Sequence, residues 1–304
     1  MVDFARLRQD RGSSLEKLHQ ELSKMEGGGS KTADDRLWYP TVDKAGNGYA
    51  VVRFLPAPGE EEVPFVRVFD HGFKGPSGLW YIENSLTTLG QKDPVTDFNS
   101  QLWNSTTDDN SPARKQARDQ KRRLSFISNV YIITDSQNPE NEGKVKIFKY
   151  GKKIFDKLNE AMNPQFADEK PMNPFDLWEG SNFKIKIRNV EGYRNYDKSE
   201  FDKPGPLFKD DDKLEAIWRQ EHSLQAFLDP SNFKSYDELR ARLHTVLGLD
   251  KANPVAARQK AAQMDEDDAP PARQSRPMKE KVAQPTADED DDDLSFFKRL
   301  AEDD

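Results

Sequence analysis

From residue 36 to about residue 200 the chain alternates apolar and polar side chains in short runs, and each run stops at a cluster of turn-forming residues. Period-two alternation marks a strand with one buried face. The pattern predicts strands at Tyr49–Pro56, Val63–Phe73, Leu79–Asn84, Leu124–Asp135, Lys144–Gly151 and Asn182–Tyr193, all rich in β-branched and aromatic residues. Ala45 to Gly48, Pro58-Gly59, Gly75 to Gly78 and Asn138 to Gly143 supply the turns. The period changes to that of a helix at Lys152–Met162, where Ile154, Phe155, Leu158 and Met162 share a face. Two more helical stripes follow. One uses Leu214, Ile217, Trp218, Leu224 and Leu228. The other is capped by Ser235 with Glu238, carries Leu239, Leu243, Val246 and Leu247, and ends at Gly248.

The resulting class is mainly β with flanking helices (α+β). Five or six strands with one interrupting helix suit a small five-stranded barrel of the oligonucleotide-binding (OB) type, closed off by C-terminal helices. A sandwich is also compatible with the pattern. Trp80 and Trp178 sit among apolar neighbours and are expected in the core.

The two ends differ from this middle. In residues 1–30, Leu15, Leu18, Leu22 and Met25 form a narrow stripe behind a Ser13–Glu16 cap, followed by Gly27-Gly28-Gly29-Ser30. A tethered amphipathic helix must bury its stripe on the parent core or on a neighbouring copy. From residue 251 to residue 304 the composition shifts to Ala, Gln, Pro and charge, which reads as disorder. Within it, Asp288 to Asp293 are six consecutive acids, and Phe296 and Phe297 follow with no core to enter. Such a tail is solvated by self-repulsion and presents its rings to another protein. The division is thus an arm at 1–30, a core at 31–250 and a tail at 251–304.

Charge sharpens the picture. The net charge is −8, but residues 285–304 hold nine acids and two bases, a balance of −7, which leaves −1 for the remaining chain. That near-neutral body contains Arg114, Lys115, Arg118, Lys121, Arg122 and Arg123 within ten residues, opposed by Asp119 alone. A local cluster of this kind attracts phosphate whatever the total charge. Arg114, Arg118 and Arg122 recur every fourth residue and would share one helix face. Aromatics are interleaved with cations at three places: Arg123, Ser125 and Phe126; Phe148, Lys149, Tyr150, Lys152 and Lys153; Tyr193, Arg194 and Tyr196. Single-stranded nucleic acid needs both parts, cations along the phosphates and rings under the bases. Phe126 and Phe148 would serve as well in a barrel core.

Catalytic signals are poor. The four His show no metal-pair spacing, there is no Cys, and no nucleotide-binding loop or nucleophile motif is present. No apolar run is long enough for a membrane span and no apolar signal region opens the chain, so a soluble intracellular protein is expected.

Seven blocks in order, AGNGYAVVRFLP (45–56), VPFVRVFDHGF (63–73), LWYIEN (79–84), NPENEGKV (138–145), GKKIFDKLNEAM (151–162), WEGSNFKIKI (178–187) and GYRNYDKSEF (192–201), resemble the gene 32 protein family, the single-stranded DNA-binding proteins of T4-like phages. The resemblance implies an OB core with an inserted subdomain at 71–105. It also implies a basic N-terminal arm for cooperative self-association and an acidic tail that contacts replication and recombination proteins such as a polymerase, a helicase loader and a primase-helicase. The place of action would be the cytoplasm of an infected bacterial host. Carried over by position, the DNA-contacting stretch falls on Lys121, Arg122, Arg123, Ser125 and Phe126. Further stacking positions fall on Trp103, Phe148, Tyr193 and Tyr196. The arm departs from the family's compact basic motif, which is here spread out, so the self-association set is read as Arg6, Arg8 and Arg11 with the stripe Leu15, Leu18 and Leu22, and the partner-binding tail as Asp290, Asp291, Asp292, Asp293, Phe296 and Phe297. The type member of the family holds zinc by one His and three Cys. Here His71 remains, but the Cys positions read Ser85, Asp93 and Thr96, so the expectation is no zinc and no cofactor. An RNA-binding translational regulator using the same groove is the alternative, because stacking tolerates either sugar.

Overall fold

The computed structural model describes residues 34–166 and 168–249, so the N-terminal arm and the acidic tail with the residues assigned to them lie outside it. Among the described residues nine strands form the sheet: β1 (Leu37–Trp38), β2 (Gly48–Phe54), β3 (Val66–Lys74), β4 (Trp80–Asn84), β5 (Arg123–Asp135), β6 (Val145–Tyr150), β7 (Phe183–Val190), β8 (Tyr193–Asn195) and β9 (Glu200–Phe201). The described α-helices that accompany them are α1 (Pro94–Asn104), α2 (Pro112–Asp119), α3 (Lys152–Met162), α4 (Asp211–Trp218) and α5 (Tyr236–Leu247). The fold is therefore a mixed sheet with flanking helices. Its path runs β1-β6-β5-β2-β7-β8, with β3 on β5, β4 on β3 and β9 on β7. This path is open among the described residues and has more strands than the five of the expected barrel.

The spine is β5, 13 residues long. Its first half pairs with β3 (Asp70↔Arg123 to Val66↔Ile127) and its second half with β2 (Phe54↔Val130 to Ala50↔Asp135). A register shift between Val51 and Val52 lets β2 follow the twist. Along its other edge runs β6, from Phe126↔Tyr150 to Tyr131↔Val145.

Both faces of this sheet are covered. On one face Val52, Phe54, Phe126, Val130, Ile132, Phe148, Tyr150, Phe183, Ile185 and Ile187 meet Ile154 and Leu158 of α3. On the other, Leu55 and Val145 meet Leu214 and Ile217 of α4, while Val66, Val68, Ile127 and Ile147 meet Leu224. Arg53 is buried among these layers. Its guanidinium donates to Asn182 Oδ1 (3.0 Å), Asp176 O (3.0 Å) and Gly205 O (2.8 Å), which fastens two irregular segments to β2. Burial pulls its pKa down to about 10, against the favourable pull of Asp176.

Three sequence expectations need correction. The predicted strand at Asn182–Tyr193 is a hairpin, because Glu191 (φ 53°) and Gly192 (φ 91°) take left-handed backbone and turn β7 back into β8. The helix expected through Leu228 ends at Trp218, and the remaining apolar residues lie in a 3-10 turn at Gln225–Leu228. Trp80 and Trp178 are exposed, at 39% and 55%; the Trp178 indole donates to Asp211 Oδ1 at the start of α4 instead of entering the core.

By its contacts the chain divides into two compact units. Described residues of the smaller are Asp34, Lys74–Trp80 and 244–249, where Ser77 Oγ donates to Val246 O at 2.6 Å. The larger holds Asp35–Phe73 and Tyr81–Leu243, and the described residues of the candidate interface belong to it.

Candidate nucleic-acid interface

Asp93 starts α1 by accepting from the backbone N–H of Val95 and Thr96, with Pro94 at the first helical position. This 11-residue helix ends next to Trp103. Ser111 caps α2 in the same way, and Pro112 follows it. On α2, Arg114 and Arg118 are one turn apart, and both lie over the Trp103 ring, 4.4 and 5.5 Å from its centroid. Arg114 Nε also donates to Trp103 O (3.3 Å), and Asp109 accepts from both arginines. The indole is thus held by two guanidiniums in a polar surround. The helix stops at Asp119, so Arg122 does not continue the Arg114–Arg118 face. Lys115 is exposed on α2 and Lys121 half-buried just beyond it.

Arg122 instead lies over the ring of Phe69, 4.0 Å from its centroid, and Arg67 lies 5.3 Å from it. The alternation of β3 explains this: residues 67 and 69 share a face, and β5 places Leu124 opposite Phe69. On the opposite face of β3, Asp70 accepts from Arg123 Nε (2.6 Å) and from Lys149 Nζ (2.8 Å). Burial would raise the Asp70 pKa, but Lys149 and Arg123 outweigh it and hold the carboxyl below its ordinary value. The Arg123 guanidinium crosses Gly72 so closely that a Cβ there would meet it at 2.4 Å and push it aside.

The strand β6 delivers the third group. It ends at Tyr150, and Gly151 opens α3 with no side-chain cap. Lys152 and Lys153 are exposed in the first turn, and Lys152 reaches Asp156 at 3.2 Å. Cations at a helix N-terminus oppose the helix dipole, a placement that a phosphate would relieve. Because the start of β5 and the end of β6 are antiparallel neighbours, α2, the Arg122–Phe69 pair and the start of α3 all join the sheet at one end.

Tyr193 is 71% exposed at the β7–β8 hairpin, beside exposed Arg194. Tyr196 is half-buried against the main core. Three expected stackers are placed differently. Phe126, Phe148 and Tyr150 are 5%, 2% and 4% exposed. Phe126 stacks on Phe155 of α3 with centroids 3.8 Å apart, and the Tyr150 hydroxyl meets Ser128 Oγ at 2.9 Å. Their inward face on β5 and β6 puts them in the core, so their rings are not offered to a base. Ser125, half-buried, faces away from Phe126 as strand geometry requires. Arg67, Phe69 and Asp70 adjoin the candidate cations Arg122, Arg123 and Lys149, although sequence reading passed over them. The signal was the alternation Val66-Arg67-Val68-Phe69, in which an aromatic and a cation share the face opposite two valines.

The positions matching the family's zinc ligands converge, but on each other. Asp93 Oδ1 accepts from Val95 N (3.0 Å) and Thr96 N (3.2 Å) and meets His71 Nε2 (3.2 Å); Oδ2 accepts from Ser85 Oγ (3.0 Å) and Leu86 N (3.1 Å). His71 Nδ1 meets Gln120 O at 3.1 Å. His71, Ser85 and Asp93 are all buried. Burial alone would raise the Asp93 pKa, yet these bonds, led by that from His71, hold it below its ordinary value. Serine and threonine are poor zinc ligands, and both carboxylate oxygens are already engaged, so this donor set does not fit a structural zinc. Among the described residues no group of three His, Cys, Asp or Glu is placed to hold a metal ion.

Comparison with known proteins gives a consistent result. Residues 46–247 match a family described as gp32 DNA binding protein like. The chain is 35% identical over 252 residues to a single-stranded DNA-binding protein of Enterobacteria phage T2, covering 80% of this chain and 81% of that protein. It is 34% identical over 244 residues to the single-stranded DNA-binding protein of Enterobacteria phage T4, covering 77% and 78%. A shorter match, 42% identical over 89 residues, is to a single-stranded DNA-binding protein of Escherichia phage SV14, covering 28% of this chain and 78% of that protein.

Proposed function

Because this chain belongs to the gp32 DNA-binding-protein-like family of T4-like phages, we propose that it binds single-stranded DNA with little regard to sequence, through the surface around Trp103, Phe69 and the start of α3. The family is non-enzymatic, so the chain is a binding protein and not a catalyst. The observation that carries the reading is the repeated layering of cation on ring: Arg114 and Arg118 on Trp103, Arg122 and Arg67 on Phe69. Such layers are ready to exchange a guanidinium–ring contact for a phosphate on the cation and a base on the ring. Lys115, Lys121, Arg123, Lys149, Lys152 and Lys153 extend the phosphate track, while Tyr193, Arg194 and Tyr196 offer a second stacking point.

The sheet core serves as an OB-type platform in this reading. The arm with Arg6, Arg8, Arg11, Leu15, Leu18 and Leu22 links neighbouring copies along the strand. The tail with Asp290 to Asp293, Phe296 and Phe297 covers the cationic surface until DNA displaces it, and then engages replication and recombination proteins in the infected host. No metal takes part. Among the described residues no helix is long and apolar enough to cross a membrane.

The test is the salt dependence of oligo(dT) affinity, for the protein and for a Lys121→Ala/Arg122→Ala/Arg123→Ala variant. Counterion release predicts a steep loss with salt, and a slope smaller by about 0.7 for each phosphate contact removed. Equal slopes for the two proteins contradict the assignment. A parallel oligo(rU) titration separates DNA from RNA preference.

A further inference from the structure

Asp93 does more than cap α1. Its carboxylate joins three chain segments: β3 through His71, the turn at Leu86–Leu89 through Ser85 Oγ and Leu86 N, and α1 through Val95 N and Thr96 N. His71 then carries the connection to Gln120 O, the C-cap of α2. The two helices fixed by this relay, α1 and α2, are those that supply Trp103 and its two arginines. A carboxylate has two acceptor oxygens with about four lone-pair sites, so these five contacts saturate it, and buried polar groups so satisfied rigidify what they join.

We infer that the Asp93–His71 hydrogen-bond hub does in this chain the cross-linking work that a metal ion does elsewhere in the family, and that Asp93 is a positioning residue for the Trp103 platform. The second half rests on the proposed DNA-binding surface; the first does not. Asp93→Asn is the informative variant. An amide keeps the size and can still cap a helix, but it has one acceptor oxygen where five contacts need two, and its NH2 must face either His71 or the Ser85 and Leu86 donors.

The experiment uses the full chain. Metal content is measured on purified protein, and thermal melts and limited proteolysis are run with and without EDTA. The quenching of Trp103 by oligo(dT) is taken as the difference between the protein and its Trp103→Phe counterpart. Expected are a melting temperature unmoved by EDTA, a lowered one in Asp93→Asn with new cleavage between residues 85 and 120, and loss of the Trp103 quenching in that variant. Stoichiometric zinc with a melt that drops in EDTA overturns the inference. So does an Asp93→Asn protein that matches the parent in melt, cleavage and quenching. If Asp93→Asn does not fold, Ser85→Ala decides, since it keeps the carboxylate and removes one of its five contacts: a melt lowered by more than in Thr87→Ala, which loses only the Thr87 hydroxyl of that turn, upholds the hub, and an unchanged melt overturns it. Should the parent protein bind no oligo(dT) while Asp93→Asn still melts lower, the hub stands and the DNA-binding reading fails.

Discussion

Replacing Tyr193 by Ala separates a binding ring from a packing ring. Tyr193 is 71% exposed at a hairpin tip, so its loss removes little buried area. The change in folding stability should stay within about 0.5 kcal/mol, as for most surface substitutions away from caps and charges. If the ring stacks on a base, its removal costs about 1–3 kcal/mol of binding. That is a loss of about 5- to 150-fold in oligo(dT) affinity. Tyr193→Phe keeps the π-face and should retain most of the affinity. Phe148→Ala is the counter-case: at 2% exposure, between Trp38, Phe54 and Tyr150, its truncation should cost about 3–5 kcal/mol of stability through the cavity left behind. Urea denaturation gives the stability and fluorescence titration the affinity. The reasoning is refuted if Tyr193→Ala binds oligo(dT) as tightly as the parent, or if Phe148→Ala leaves the urea midpoint in place.

Three further perturbations probe the framework. Glu221 has both carboxylate oxygens buried, and burial, followed by the neighbouring charge of Glu61, pushes its pKa up to about 9. The folded chain then keeps a proton that the unfolded chain loses, so between about pH 4.5 and pH 9 stability should fall as pH rises, by at most about 1.4 kcal/mol per unit. Glu221→Gln should flatten that fall and melt higher than the parent at pH 8; equal pH profiles would count against it. Asp70 titrates in the opposite sense: its depressed pKa makes a stability contribution that is present above the unfolded value and lost as pH falls through the folded one. Asp70→Asn should therefore melt lower at neutral pH, converge with the parent in acid, and bind oligo(dT) more tightly at low salt because Arg123 and Lys149 are no longer neutralised. Arg53→Met strands three acceptors that the guanidinium satisfied, and should cost about 3–5 kcal/mol in urea denaturation.

The main strands were legible because each has a run of alternating residues long enough to show its period: Tyr49–Pro56 became β2 and Leu124–Asp135 became β5 within two residues at either end. The helix α3 was read at its full extent, and the Ser235–Glu238 cap forms as the spacing implied, with Glu238 Oε2 accepting from Ser235 N at 2.9 Å. Two-residue strands such as β1 and β9 carry no period and owe their pairing to neighbours already in place. The aromatics failed for a definite reason. In β6, Ile147 packs on one face and Phe148 on the other, so a strand buried on both sides leaves no polar face to tell a core ring from a stacking one. Arg122 was misplaced because helical spacing continues through the sequence while α2 stops at Asp119. Trp103 and the Arg114–Arg118 pair were each visible; their meeting depends on α1, whose buried positions, Val95 and Asn99, give too weak a stripe to announce a helix.

The most direct test of the account is the quenching of intrinsic tryptophan fluorescence by oligo(dT), with duplex DNA of equal length alongside and salt as the second axis. The account predicts strong quenching by the single strand, weak quenching by the duplex, and steep loss of the single-strand signal as salt rises. Equal quenching by both, or a signal indifferent to salt, would contradict it.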